Sequence, residues 1–237
     1  MLYWLIPLII GVLLLGTFLY FRVKEKRVIA VILKGSTSLA FIATALVAWL
    51  TSKNPDSFFG MFVILGLFFG LLGDVFLDLK YIITNKEYIY TVLGFLAFAC
   101  GHIFFCAGCF AHFYDFSKNI LFIIIPVIAA LLLVVVTLLM EKFTAIRYKE
   151  MKPYVIIYGF ILFFTVSLYL SVCIQSVWNI KTLIFMFAGL VAFALSDLIL
   201  NNTYFADGFN TPAFVISNHI IYYAAQFTIA VSLFFLL

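Results

Sequence analysis

An all-α polytopic membrane bundle of about eight transmembrane helices is the fold class this sequence predicts, and three observations predict it. Of its 237 residues, 67% are hydrophobic and only 10% charged, whereas soluble domains carry about 25% charged residues. Mean hydropathy is +1.25. Apolar runs of about 20 residues, the length that crosses a bilayer, follow one another along nearly the whole chain. Unbroken runs suit helices rather than a barrel's alternation, because backbone groups in lipid must be satisfied within the segment.

The spans fall near residues 2–21, 28–50, 58–79, 89–112, 119–140, 153–176, 181–201 and 213–236. The first has no basic residue before it. Its positive cluster, Arg22, Lys24, Lys26 and Arg27, follows it instead, unlike a cleaved signal. Between spans the longest stretch, "EKFTAIRYKEMK" at 141–152, is too short for a soluble domain and reads as a topology determinant. The chain is therefore expected to be one integral membrane domain, 1–237.

Loops after the first, third, fifth and seventh spans hold Arg22, Lys24, Lys26, Arg27, Lys80, Lys86, Lys142, Arg147, Lys149 and Lys152. The opposite loops hold Lys53, Lys118 and Lys181. By the positive-inside bias, odd-numbered loops are expected in the cytoplasm and both termini outside, in a cell membrane. The net charge of +4 follows from this asymmetry, so it does not indicate nucleic-acid binding. Cys100, Cys106, Cys109 and Cys173 all fall inside spans. "CAGC" at 106–109 reads as small packing residues, and three histidines without a thiolate cluster lack a zinc signature.

An ionisable group at a helix centre costs roughly 2.5–3.5 kcal/mol on insertion scales, so each one is a candidate for function. They are Lys34 in the second span, Asp74 and Asp78 in the third, His102 in the fourth, Asp197 in the seventh and His219 in the eighth. Except for the deeper His102, they converge on one depth, the half of the bilayer that the charge bias makes cytoplasmic. Asp78 and Lys34, being nearer the helix ends, could also snorkel toward water.

Asp74 and Asp78 are four residues apart and share a helix face, as do Asp197 and Asn201. "LLGDVFLD" at 71–78 and "ALSDLILN" at 194–201 read alike, and each is followed by a span carrying a histidine. A four-plus-four internal pseudo-repeat accounts for this pattern. Gly66, Gly70 and Gly73 allow close approach of a neighbouring helix, holding Asp74 against protein instead of lipid.

These motifs resemble the YhhN-like lysoplasmalogenase family of polytopic membrane proteins. A third-span pattern G-L-x-F-x-x-x-G-D-x-x-L is met by Gly66, Leu67, Phe69, Gly73, Asp74 and Leu77. Gly94, Phe98 and His102 match the fourth-span pattern. Gly189, Phe193, Ser196, Asp197 and Leu200 match G-x-x-x-F-x-x-S-D-x-x-L, and Tyr223 to Gln226 match the terminal Y-x-A-Q. Two departures stand out: Gly35 follows Lys34 where the family often has proline, and Phe105 stands where a tyrosine is common.

The resemblance implies a hydrolase that splits the vinyl ether bond of lysoplasmalogens, giving a fatty aldehyde and a glycerophospho-ethanolamine or -choline. That chemistry needs one carboxylic acid to protonate the β-carbon and one carboxylate to stabilise the oxocarbenium ion and activate water, much as in glycoside hydrolysis. Asp74 and Asp197 are the expected catalytic pair, without a metal or other cofactor. Lys34 is expected at the substrate phosphate and His219 at a carboxylate or the head group. Asp78, Asn201, His102 and Tyr223 complete the expected substrate-binding set. The expected partners are the lysophospholipid substrate and membrane lipid. Two rival readings use the same carboxylates. One is a proton-coupled transporter of lipids or small molecules, relaying protons. The other is an intramembrane aspartyl protease, to whose G-x-G-D element "LLGD" at 71–74 is similar, with Leu71 in place of the first glycine.

Overall fold

The computed structural model describes residues 2–55, 57–115 and 119–236. Lys118, counted above for topology, lies outside them. Among the described residues eight helices are long and apolar enough to cross a membrane, and no strand forms. They are α1 Leu5–Val23, α2 Arg27–Leu50, α3 Phe58–Leu79, α4 Glu87–His112, α5 Leu121–Phe143, α6 Lys152–Gln175, α7 Lys181–Phe205 and α8 Pro212–Ser232. The chain is a multi-pass integral membrane protein. Helix α7 continues past the expected 201 to Phe205, which puts Asn201 and Asn202 inside a helix.

Local chemistry sets several of the ends. Ser57 caps α3 by accepting from the Phe59 amide at 3.3 Å. Thr211 caps α8, followed by Pro212 in the first turn, where a missing N–H leaves no bond unmade. Pro126 lies inside α5 and so cannot donate to the Phe122 carbonyl one turn back. The Ser171 hydroxyl of α6 donates to that carbonyl instead, at 2.8 Å. Re-satisfying a freed carbonyl from a neighbouring helix is what makes such a proline tolerable in lipid.

Consecutive helices pack as pairs, α1 with α2, α3 with α4, α5 with α6 and α7 with α8. Within the halves α2 packs on α3 and α6 on α7, while α4 meets α6 and α2 meets α8 across them. The second half repeats the sequential pairings of the first, and α4–α6 corresponds to α2–α8. But α8 also packs on α1 and α3, where the equivalent α4–α5 and α4–α7 contacts are at most slight, so the halves match in part. Helices α1 and α5 are outermost: only Gly11 and Phe18 of α1 and Pro126, Ala130 and Val134 of α5 are buried. The α3–α4 seam is the tightest. A Cβ added at Gly101 would lie 2.8 Å from the Gly66 carbonyl oxygen, so backbone meets backbone there.

The 141–152 connection is more than a charged linker. Glu141 accepts from the Tyr148 amide at 2.9 Å and from Lys152 at 2.6 Å, and the Arg147 amide donates to the Phe205 carbonyl at 2.7 Å. Ile146, Tyr148 and Met151 are buried with Phe95, Val155 and Ala206 in a small core beneath the end of α7.

Candidate active site

The i,i+4 carboxyls of α3 face inward, and α1, α2 and α8 supply their partners. Lys34 Nζ of α2 lies 3.3 Å from Asp74 Oδ1 and 3.1 Å from Asp78 Oδ1. Arg22, in the last turn of α1, reaches Asp78 Oδ1 at 2.9 Å. Asp78 therefore does not snorkel; it is 1% exposed and held by two cations. Its second oxygen, Oδ2, is buried without a hydrogen-bond partner.

Asp74, also 1% exposed, accepts further hydrogen bonds at Oδ2, from Ser38 at 2.6 Å and Tyr222 at 2.8 Å. Gln226 donates to the Tyr222 oxygen at 2.8 Å, which steers the phenol hydrogen toward Asp74. Gly70 makes room for that amide: a Cβ at position 70 would lie 2.7 Å from Gln226 Nε2. Tyr223 donates to the Lys34 carbonyl at 3.1 Å and lies 3.1 Å from Ser38, tying α8 to α2.

In the second half the corresponding carboxyl has a different partner. The Tyr158 hydroxyl of α6 donates to Asp197 Oδ2 of α7. Among the described residues no Lys, Arg or His forms an ion pair with Asp197. Tyr158 therefore stands toward Asp197 as Lys34 stands toward Asp74, a phenol in place of an ammonium. Nothing in the sequence reading singled out Tyr158.

A cavity of about 340 Å³ opens among these groups. Asp74, Asp78, Asp197, Lys34 and His219 all line it, so carboxyls from α3 and α7 share one space. Arg22, Arg27, Glu25 and Asn210 line it from the loop end of the bundle, and Phe98, Leu77 and Leu200 give it apolar walls. The Arg22 guanidinium also stacks on Tyr81, 4.2 Å from the ring centroid. His219 Nδ1 lies 2.7 Å from the Val215 carbonyl, which can only accept. That bond places the proton on Nδ1 and leaves Nε2 as the acceptor.

Three expected residues do not line this cavity. Tyr223 is buried behind it. Asn201 donates to the Tyr148 hydroxyl at 3.0 Å and faces a separate groove. His102 sits among Phe105, Phe193 and Tyr158 with neither ring nitrogen hydrogen-bonded. Among the described residues no cluster of three or more His, Cys, Asp or Glu could hold a metal ion, and the four cysteines are free.

The YhhN family model matches residues 29–233, from α2 to the end of α8. The chain belongs to the YhhN family. No curated protein and no solved structure matches it. Apart from Arg22 at the end of α1, Glu25 on the turn and Arg27 at the start of α2, every cavity residue named above falls within the YhhN match.

Proposed function

We propose that this YhhN protein is a membrane-embedded hydrolase that cleaves the vinyl ether bond of lysoplasmalogens, with Asp197 as proton donor and Asp74 as the stabilising carboxylate. One observation carries the reading: two carboxyls on parallel helices line a single cavity, and only one of them has a cation beside it. Lys34 and two hydroxyl donors give Asp74 the surroundings of an anion, suited to facing an oxocarbenium ion. Asp197 has a phenol and no cation, which suits a group that gives up a proton and takes it back.

The steps balance. Asp197 transfers its proton to the β-carbon of the vinyl ether, and positive charge develops on the α-carbon and the ether oxygen opposite Asp74. Water adds to the α-carbon, losing a proton to a carboxylate. The resulting hemiacetal collapses to the fatty aldehyde and the free glycerol hydroxyl. The unpartnered Asp78 Oδ2 is offered to the free second hydroxyl of a lysolipid. Lys34 and Arg22 are engaged with the carboxyls of α3, so the phosphate falls to Arg27, exposed at the cavity rim. His219 Nε2 is an acceptor for the head group. Tyr223, His102 and Asn201 support the walls from behind.

The test is aldehyde release by the purified protein in proteoliposomes, with lysoplasmalogen and intact plasmalogen side by side. Aldehyde from the lysolipid, lost in both Asp74→Asn and Asp197→Asn, is expected. Lipid flux across the bilayer with no aldehyde would make the protein a transporter. Cleavage of a membrane peptide instead would make it a protease.

A further inference from the structure

A second hollow meets the polar cavity at Asp197. It is a groove of about 60 Å³ among α4, α5, α6 and α7, lined by Phe95, Gly159, Phe163, Leu198 and Phe205. It shares Asp197, Leu200 and Tyr204 with the cavity, so the two spaces have a common wall. Leu198, 47% exposed, marks its rim on the outer surface of the bundle, where lipid would lie. The polar groups along it are already engaged: Thr137 with the Leu133 carbonyl, Asn201 with Tyr148, and Tyr158 with Asp197. What the groove presents is hydrocarbon, leading to a carboxyl.

We propose that this groove is the hydrocarbon-chain subsite of the same site, holding the first few methylenes next to the glycerol of one aliphatic chain that enters sideways from the bilayer, with the remainder lying in lipid beyond the rim. The proposal rests on the reading of the polar cavity as a head-group chamber. A single-chain phospholipid is amphipathic in the same order as the two hollows, apolar then polar. Seated across them, it places the bond between chain and glycerol at their shared wall, against Asp197. A vinyl ether lies at that point of the molecule. The groove thus explains why the proton donor stands between two unlike chambers instead of deep within either.

Gly159 offers the steric test. A Cβ there meets only Val134 at 3.7 Å and Phe163 at 3.9 Å, ordinary contacts, so a larger side chain enters the groove without a backbone clash. The probe is a lysophosphatidylethanolamine with a diazirine in its chain, photolysed with the protein in proteoliposomes and mapped by mass spectrometry. Adducts on Phe163 and Leu198, competed by unlabelled long-chain lysolipid and reduced at least fivefold in Gly159→Leu, are expected. Leu198→Trp, altered at the exposed rim where folding is not at stake, should reduce them likewise. Leu132→Trp, on the lipid face of α5, should not.

In turnover, Gly159→Leu should raise KM for a long-chain vinyl ether lysolipid about tenfold. Uncompeted adducts spread over α1 and α5 would mean annular lipid only and would overturn the proposal, as would adducts between two copies of the chain. Competed groove labelling without any ether cleavage would leave the subsite standing and remove the proposed reaction. Ether cleavage without groove labelling would do the reverse.

Discussion

Lys34 and Asp74 meet at 3.3 Å across α2 and α3, an ion pair with both side chains almost wholly buried. The ammonium also serves Asp78, so a single lysine balances two carboxylates one helical turn apart. Arg22 supplies the remaining positive charge. In a low-dielectric interior such a set persists only when each charge faces its opposite. The cluster therefore fixes the relative positions of α1, α2 and α3, and with Tyr222 and Tyr223 those of α8 as well.

Lys34→Met is expected to destabilise the protein, because it leaves Asp74 without a cation. Breaking a buried pair by removing one partner typically costs about 3–5 kcal/mol. Thermal unfolding in detergent checks this, with the double variant Lys34→Met/Asp74→Asn expected to recover part of the loss, since Asp78 keeps Arg22. A single variant that melts like the parent would show that the ion pairs add nothing to stability.

Tyr158→Phe removes the hydroxyl that orients Asp197 while keeping the ring stacked on Phe95, with centroids 5.5 Å apart. Hydrogen bonds to a charged group are worth about 1.5–3 kcal/mol, or roughly ten- to hundredfold in rate. The expectation is a kcat lower by that factor with KM little changed, since the ring that lines the groove is kept and the lost hydroxyl is engaged with Asp197 alone. An unchanged kcat would return Tyr158 to a packing role.

The contrast between Lys34 and Tyr158 shows what the sequence could and could not disclose. Lys34, Asp74 and Asp197 stood out because charge inside an apolar span is costly, and their common depth followed from counting turns. Tyr158 is one of 13 tyrosines among 30 phenylalanines, uncharged and unremarkable until α6 is superimposed in thought on α2. Only the repeat could have signalled it. Arg22 was hidden differently: its place in a basic loop cluster explained it fully as a topology signal, and nothing local points to Asp78, far along the chain. The helices were legible to within about a turn at every end, because an apolar run of spanning length has one stable form in lipid. The largest differences are at the ends of α7, which reaches Phe205, and α8, which stops at Ser232. The groove was not, since its apolar lining is indistinguishable in sequence from a lipid-facing surface.

Gly101→Ala tests the seam that carries Asp74. The new methyl would press on the Gly66 carbonyl at 2.8 Å, and neither backbone can turn aside as a side chain would. Overpacking of this kind costs about 1–3 kcal/mol. A lower melting temperature is expected, together with reduced aldehyde release as α3 is displaced from the cavity. Gly16→Ala in α1, where an added Cβ meets nothing within 4 Å, should be neutral by both measures.

Lys80 provides the pH-dependent test of the loop end. It follows α3 directly, is 6% exposed, and its ammonium sits 3.3 Å above the Tyr204 ring and 4.0 Å from Glu87. Burial pulls its pKa down from 10.5 to about 8, with the Glu87 carboxylate opposing; the Tyr204 face also favours the charged form. Because the folded pKa lies below the unfolded one, the unfolded chain binds more protons between pH 8 and 10.5, and stability rises with pH across that window. Below pH 8 the ammonium is charged in both states and its burial opposes folding in full. Lys80→Met should therefore raise the melting temperature at pH 7, and the gain should shrink as pH climbs from 8 toward 10.5. A gain that stays constant over that range would mean that the aromatic and acidic neighbours offset the burial, and that Lys80 keeps its charge throughout.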